Sequence, residues 1–252
     1  MRLFPESWIL CEADTVCSEI VDCVNMTAPV VDIDTGYRMI RTTNVREGRI
    51  DLSETRFVEA GVFQKWTRRV LPRRNDIVLT REAPLGEVGL LRSDEKVFLG
   101  QRTMLYRADP KKLNQQFLYY SLLGSYVQAQ IRGQGSGSTV EHLRVPDAEK
   151  LVIPVAPLEG QKNIAAILSA YDDLIENNRR RIALLEKMAE EIYREWFVRM
   201  RFPGHEQAKF EKGMPVGWQQ ASLGQVVELC YGKALRDEDT AVPLTFTAKP
   251  SD

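Results

Sequence analysis

The stretch "ILSAYDDLIENNRRRIALLEKMAEEIYREWF" (167–197) decides the architecture. It contains neither proline nor glycine, helix formers dominate it, and both properties extend back to Gln161. Placing Leu168, Ile175, Ile182, Ala189 and Trp196 at one heptad position brings Ile164, Tyr171, Asn178, Leu185 and Ile192 to the other. Nine of these ten places are apolar, so the pattern predicts one helix within 157–199. Its run from Gln161 to Phe197 would measure roughly 55 Å. A seam of that length left bare invites aggregation, so a partner helix is expected. Asn178 is the one polar seam residue. It is either a local accident on a solvated helix or a device fixing register and partner choice, and its mid-helix position favours the second.

Upstream, residues 1–156 alternate short strand patterns with turns. "YRMIRTTNV" (37–45), "DIVLTRE" (76–82) and "VFLGQRTMLYRAD" (97–109) are rich in β-branched and aromatic residues. "DTG" near 36, "EAPLGEVG" (82–89) and "DP" (109–110) read as turns between them. One helix is expected over "LNQQFLYYSLLGSYVQAQI" (113–131), with Phe117, Tyr120, Leu123 and Val127 on its apolar face. A glycine- and serine-rich loop, "RGQGSGSTVEHL" (132–143), follows, and the strand "KLVIPVAP" closes the domain. The fold class read from this pattern is α+β: a β-rich domain with a mixed or antiparallel sheet, followed by one long coiled-coil-forming helix.

Composition bounds the function. The 252 residues carry 44% hydrophobic and 27% charged residues, as in an ordinary globular chain. No apolar run is long enough to span a membrane, no signal peptide is recognisable, and a cytoplasmic location is expected. The net charge of −1 argues against a general polyanion binder, but "RFVEAGVFQKWTRRVLPRR" (56–74) holds six basic residues against one acid, Glu59. It is either a solvated basic loop or a phosphate-facing patch. Cys11, Cys17 and Cys23 are evenly spaced, as for one face of an extended strand, and with Cys230 they read as reduced thiols. Without a Cys-x-x-Cys pair, and with His142 and His205 the only histidines, no metal site is expected.

A weak repeat also runs through the chain. At an offset of 210 residues Pro5, Trp8 and Val16 match Pro215, Trp218 and Val226. Residues 200–252 therefore read as a linker and the incomplete start of a second copy of the first domain.

The run "DIVLTREAPLGEVG", then "LGQRTMLYRAD", then "GSGSTVEHLRVPDAEKLVIPVAPLEGQKNIAAIL", then the long helix, resembles the specificity subunit of type I restriction-modification systems. "MPVGWQQASLGQVVELCYGKA" resembles the opening of that subunit's second target-recognition domain. The resemblance implies a non-catalytic subunit whose recognition domains each read half of a split target in double-stranded DNA, with the helices as a ruler between them. It also implies methyltransferase (M) and restriction (R) subunits as partners, which use S-adenosylmethionine, ATP and Mg; this chain itself would bind no cofactor. Since one recognition domain and one helix are present, a homodimer through the helix would rebuild a symmetric reader of an inverted repeat.

Candidate DNA contacts follow. Arg68, Arg69, Arg73 and Arg74 suit phosphates, because their charge acts regardless of fine geometry. Thr80 and Arg81 precede a tight turn at Pro84 and Gly86, which reads as a loop or as a DNA contact, and Gln101 with Arg102 offers the amide and guanidinium that suit adenine and guanine edges, or reads equally as a strand-borne arginine packed on an acid. Ser138 and Thr139 would lay hydroxyls on phosphate from the glycine-rich loop, which reads equally as a flexible linker. For helix pairing the candidates are Leu168, Tyr171, Ile175, Asn178, Ile182, Leu185 and Ile192. No catalytic residues are expected: "PDAEK" (146–150) sets Asp147 and Glu149 too close for a nuclease core, and no cofactor loop, phosphate loop or Asn-Pro-Pro-aromatic motif is present. The competing expectation is a helix-mediated assembly protein, or an inactive remnant, that binds the methyltransferase without reading DNA.

Overall fold

In the computed structural model, which describes residues 3–135, 141–219 and 221–228, the chain divides into two compact units, Met1–Asn177 and Asn178–Asp252. The first unit is built on β7 (Ile77–Arg81), whose five residues are all buried. A strand buried on both faces belongs in the middle of a sheet. β7 lies between β8 (Leu85–Leu90) and β10 (Thr103–Ala108), antiparallel to both. Outside β10 lies β2 (Cys17–Asp22); outside β8 lie β5 (Gly48–Ile50), parallel to it, and then β4 (Val45–Arg46). The six-stranded sheet is thus mixed, as the sequence pattern predicts. A second, three-stranded sheet joins β6 (Arg56–Phe57), β3 (Tyr37–Ile40) and β9 (Lys96–Leu99), and β1 (Ile9–Glu12) pairs with β11 (Val152–Val155).

Strand alternation sorts the core onto two faces. Ile77, Leu79, Met104 and Tyr106 face α3 (Gln115–Leu123) and α4 (Ser125–Gly135), meeting Phe117, Leu118, Leu122, Val127 and Ile131. Val78 and Leu105 face the other way, toward Ile40, Val97 and Leu99. α2 (Ala60–Trp66) sets Phe63 and Trp66 edge-on to Phe98. The one-turn helix α1 (Ala13–Val16) separates β1 from β2, so Cys11 and Cys17 fall on strands of different sheets and the three cysteines share no single strand face. Tyr106, fully buried, donates its hydroxyl to the Ala148 carbonyl (2.8 Å) on α5 (Val145–Glu149).

Three sequence expectations are corrected. The run 97–109 is two strands, reversed at Gly100–Arg102, where a Cβ on Gly100 would sit 2.6 Å from the Ile40 carbonyl oxygen. "EAPLGEVG" is mostly strand β8, the reversal being confined to residues 82–84. The helix over 113–131 is broken at Gly124, which is extended (φ −65°, ψ 147°). Phe117, Leu118, Tyr119 and Leu122 point inward from α3, leaving Leu123 exposed. Beyond the break Val127 and Ile131 hold α4 on the core, so it continues through Gly133 and Gly135 into the expected loop.

α6 (Leu158–Tyr193) is the long helix. Its foot is fixed by Ala165 and by Gln161, which is fully buried. The Gln161 amide accepts the Asn114 N–H (2.7 Å) and donates to the carbonyls of Ala156 (2.7 Å) and Lys112 (3.2 Å).

In the second unit α6 ends in a π-helical turn, Arg194–Val198, and Trp196, Phe197, Phe202, Phe210 and Trp218 form a chain of ring contacts. Short strands β12 (Phe210–Glu211) and β13 (Met214–Pro215) pair there, and α7 (Leu223–Val226) follows. The repeat has a structural counterpart. The Trp218 N–H donates to the Pro215 carbonyl (3.1 Å) as the Trp8 N–H does to that of Pro5 (3.0 Å). Four-residue helices follow at the same offset, α1 ending at Val16 and α7 at Val226.

Candidate nucleic-acid interface

Register places the candidate residues at opposite ends of the central sheet. Thr103 faces Thr80 and Tyr106 faces Ile77, so one end holds the reversals 82–84 and 100–102, and the other holds residues 73–75. β7 spans roughly 13 Å between them. Arg69 reaches the first end, donating to the Cys23 carbonyl (2.8 Å), while the Cys23 N–H donates to Thr103 (3.1 Å). Arg69, Gln101 and Arg102 therefore gather at that end, and all three are exposed. Arg73 and Arg74 lie at the other, where Arg74 pairs with Asp94 (2.8 Å). That carboxylate raises the already high pKa of Arg74 and offsets its charge. Arg68 and Arg73 are exposed, and among the described residues neither pairs with a carboxylate.

Thr80 and Arg81 are interior groups. Thr80 is fully buried, its hydroxyl donating to the Pro84 carbonyl (2.6 Å) and accepting the Glu87 N–H (3.0 Å). Arg81 pairs with Asp22 (2.8 Å) and donates to the Leu143 carbonyl (3.1 Å). Thr80 closes the hairpin and Arg81 ties the strand to β2 and to Leu143, and both side chains are buried at the end of an interior strand rather than presented to DNA. Ser138 and Thr139 lie outside the described residues.

Sequence reading missed a cluster at the same end. Glu82 lies within ion-pair distance of Arg102 (Nε to Oε1, 3.4 Å), and His142 Nδ1 stands 3.3 Å from its Oε2 without a hydrogen bond between them. It joins three separate loops, and no local motif announces it. Arg102 is held at φ +67° and neighbouring Ala83 at +49°, left-handed conformations that cost most residues about 1 kcal/mol or more. The turn presents an arginine where backbone alone would favour glycine.

The helix candidates are uniformly uncovered in this chain. Leu168, Tyr171, Ile175, Ile182, Leu185 and Ile192 range from 38% to 64% exposed, and Asn178 is exposed with them. Ile167, Leu174 and Met188, one heptad place before Leu168, Ile175 and Ala189, are also exposed and widen the stripe beyond two positions. Among the described residues no cluster of His, Cys, Asp and Glu could hold a metal ion, and no helix is long and apolar enough to cross a membrane.

Comparison with known proteins bears on this arrangement. The family model described as type I restriction modification DNA specificity domain matches residues 30–187. The MjaIX specificity subunit of Methanocaldococcus jannaschii is 30% identical over 169 residues, covering 65% of this chain and 38% of that protein. The MjaVIII specificity subunit of the same organism is 29% identical over 198 residues, covering 74% of this chain and 44% of that protein. The match thus spans less than half the length of these curated relatives. In fold, the crystal structure of a type I restriction-modification S subunit from M. genitalium superposes with a TM-score of 0.61 at 20% identity, over 94% of this chain and 58% of that one.

Proposed function

The chain belongs to the family of type I restriction-modification DNA specificity domains, and from that premise we propose that it is a non-catalytic DNA-recognition subunit. In this reading residues 1–156 read one half of a bipartite duplex target. Residues 157–199 form a spacer helix that recruits methyltransferase subunits, and a second copy of the chain is a further partner for the same stripe. Residues 200–252 open a second recognition domain; the recurring Pro-x-x-Trp turn and one-turn helix support this. S-adenosylmethionine, ATP and Mg are used by the methyltransferase and restriction subunits and not by this chain.

The observation that carries the reading is the uncovered apolar face of α6. A stripe this long and this wide needs helices against it. Loop-borne basic residues at the sheet end, Arg69 and Arg102 with Arg68 beside them in sequence, supply the positive charge for a DNA backbone.

The test is DNA affinity as a function of salt, measured on the chain co-purified with its methyltransferase subunit. For Arg68→Ala with Arg69→Ala the slope of log K against log salt is expected to fall by about 1.8, ~0.9 for each phosphate that is no longer neutralised. Unchanged affinity and slope would remove this segment from the DNA surface and favour an assembly protein that binds the methyltransferase without reading DNA. The light-scattering mass of the same complex counts copies of the chain. Two copies support a symmetric, palindromic target.

A further inference from the structure

We propose that a polar clamp between the first unit and the lower part of its long helix sets the direction in which the helix leaves, and with it the gap between half-sites. The proposal rests on the recognition-subunit reading above. Three separate elements contribute. Arg92, just past β8, forks onto two adjacent carboxylates: Nη2 to Asp172 (3.1 Å) and Nη1 to Asp173 (2.9 Å). The Tyr120 hydroxyl on α3 donates to the same Asp172 oxygen (2.9 Å). Arg49 on β5 pairs with Glu176.

These groups are half-exposed, so they add little to stability. Their effect is geometric. Gln161 and Ala165 hold the helix foot in the core, and a rod held at one place can pivot. The carboxylates lie ~17–22 Å beyond Gln161 and ~10–17 Å beyond Ala165 along the axis, and a second hold at that distance fixes an angle. A tilt of ~10° about that foot would carry the end of the helix roughly 8 Å sideways, more than two base-pair steps of ~3.4 Å. A forked arginine on neighbouring carboxylates resists such a tilt, because both bonds constrain the same plane.

The clamp is tested in the complex with the methyltransferase subunit, comparing the parent chain with Arg92→Ala/Tyr120→Phe. Each complex selects duplexes from a library of random bases interrupted by gaps of varied length. The expected result is unchanged half-site bases with loss of the single preferred gap, which spreads to neighbouring lengths. A folded variant that keeps one sharp gap overturns the proposal. If the parent itself selects no sequence, the recognition reading has failed, and the clamp is judged by electron–electron distances between nitroxides on ketone side chains at positions 53 and 177, both in the first unit. A narrow distribution in the parent that broadens in the variant, and in Asp172→Asn/Asp173→Asn, supports the clamp. Identical distributions in all three refute it.

Discussion

Replacing Gln161 with leucine tests whether the long helix is rooted by hydrogen bonds or only by apolar contact. The change keeps the side chain's approximate volume and removes three bonds: the acceptor for the Asn114 N–H and the donors to the Ala156 and Lys112 carbonyls. Lys112 is exposed and its carbonyl can turn to water, so two backbone groups lose their partners, the Ala156 carbonyl buried and the Asn114 N–H partly so. Each such orphan costs about 1–3 kcal/mol. Asn114 also caps α3 through its side chain to the Phe117 N–H (3.0 Å), so a shift there spreads to a second helix. The expected loss is therefore about 3–4 kcal/mol, a large share of the 5–15 kcal/mol typical of a domain. Urea titration of parent and variant measures it, with equal slopes required for the comparison to hold. Gln161→Glu is the companion: its carboxylate still accepts from Asn114 but cannot donate to either carbonyl, and its charge is buried, so it should fare no better at neutral pH. A cost below about 1 kcal/mol for the leucine variant would refute the reasoning, since the amide would then contribute less than a single ordinary hydrogen bond.

Other expectations are equally measurable. Asp22→Asn leaves Arg81 nearly buried without its carboxylate, and should cost about 2–3 kcal/mol in the same titration, below a fully sealed pair because Asp22 keeps 19% exposure; a neutral result would mean that water already serves Arg81. Burial, helped by the charge of Asp14, pushes the Cys17 thiol up from 9.0 to about 12. A folded pKa raised in this way favours the protonated form, so its contribution to stability is complete below pH 9 and is lost as pH climbs toward 12. Cys17 should accordingly resist iodoacetamide at pH 8 until the chain is unfolded, and equal native and unfolded rates would contradict its placement. Arg102→Gly relieves a left-handed residue at φ +67°, so stability should hold within about 1 kcal/mol while DNA affinity falls. Loss of stability with unchanged affinity would assign Arg102 a purely structural part.

Features written in short-range periodicity were readable without coordinates. The long helix announced itself through 3.5-residue spacing over many turns, and "DIVLTRE" read as a strand through its β-branched residues. What was misread depended on one residue acting against its neighbours. Gly124 breaks a pattern that otherwise runs unbroken through two helices, and Gly100 folds one apparent strand into two because only a residue without Cβ fits against Ile40. Thr80 and Arg81 were read as the exposed end of a strand beside a turn, yet that end is as buried as the rest of the strand. The clamp was invisible for a different reason. Arg92 lies 80 residues from Asp172, and no spacing rule links a surface arginine after one strand to an aspartate on a helix.

These failures bear on how a chain of this kind divides its tasks. The parts that periodicity reveals, the sheet and the helix, do not carry the residues proposed to meet DNA. Arg69, Gln101 and Arg102 lie in turns or loops at one sheet end, held there by Cys23, Glu82 and a reversal built on glycine. Such loops can change side chains without disturbing the interior strand beneath them, because Thr80 and Arg81 close that end on their own. The helix foot is the opposite case: Gln161 and Ala165 are fixed by burial, while the clamp carboxylates are exposed enough to vary at little cost in stability. If bases are read at the loops and the gap is set at the clamp, the two properties can change separately. Substitutions at Gln101 or Arg102 should then alter the bases selected at constant gap, and substitutions at Arg92 or Asp172 the gap at constant bases. A variant at either place that moved both together would show that the loops and the helix foot are coupled through the sheet, and that the scaffold between them is less rigid than its buried strands imply.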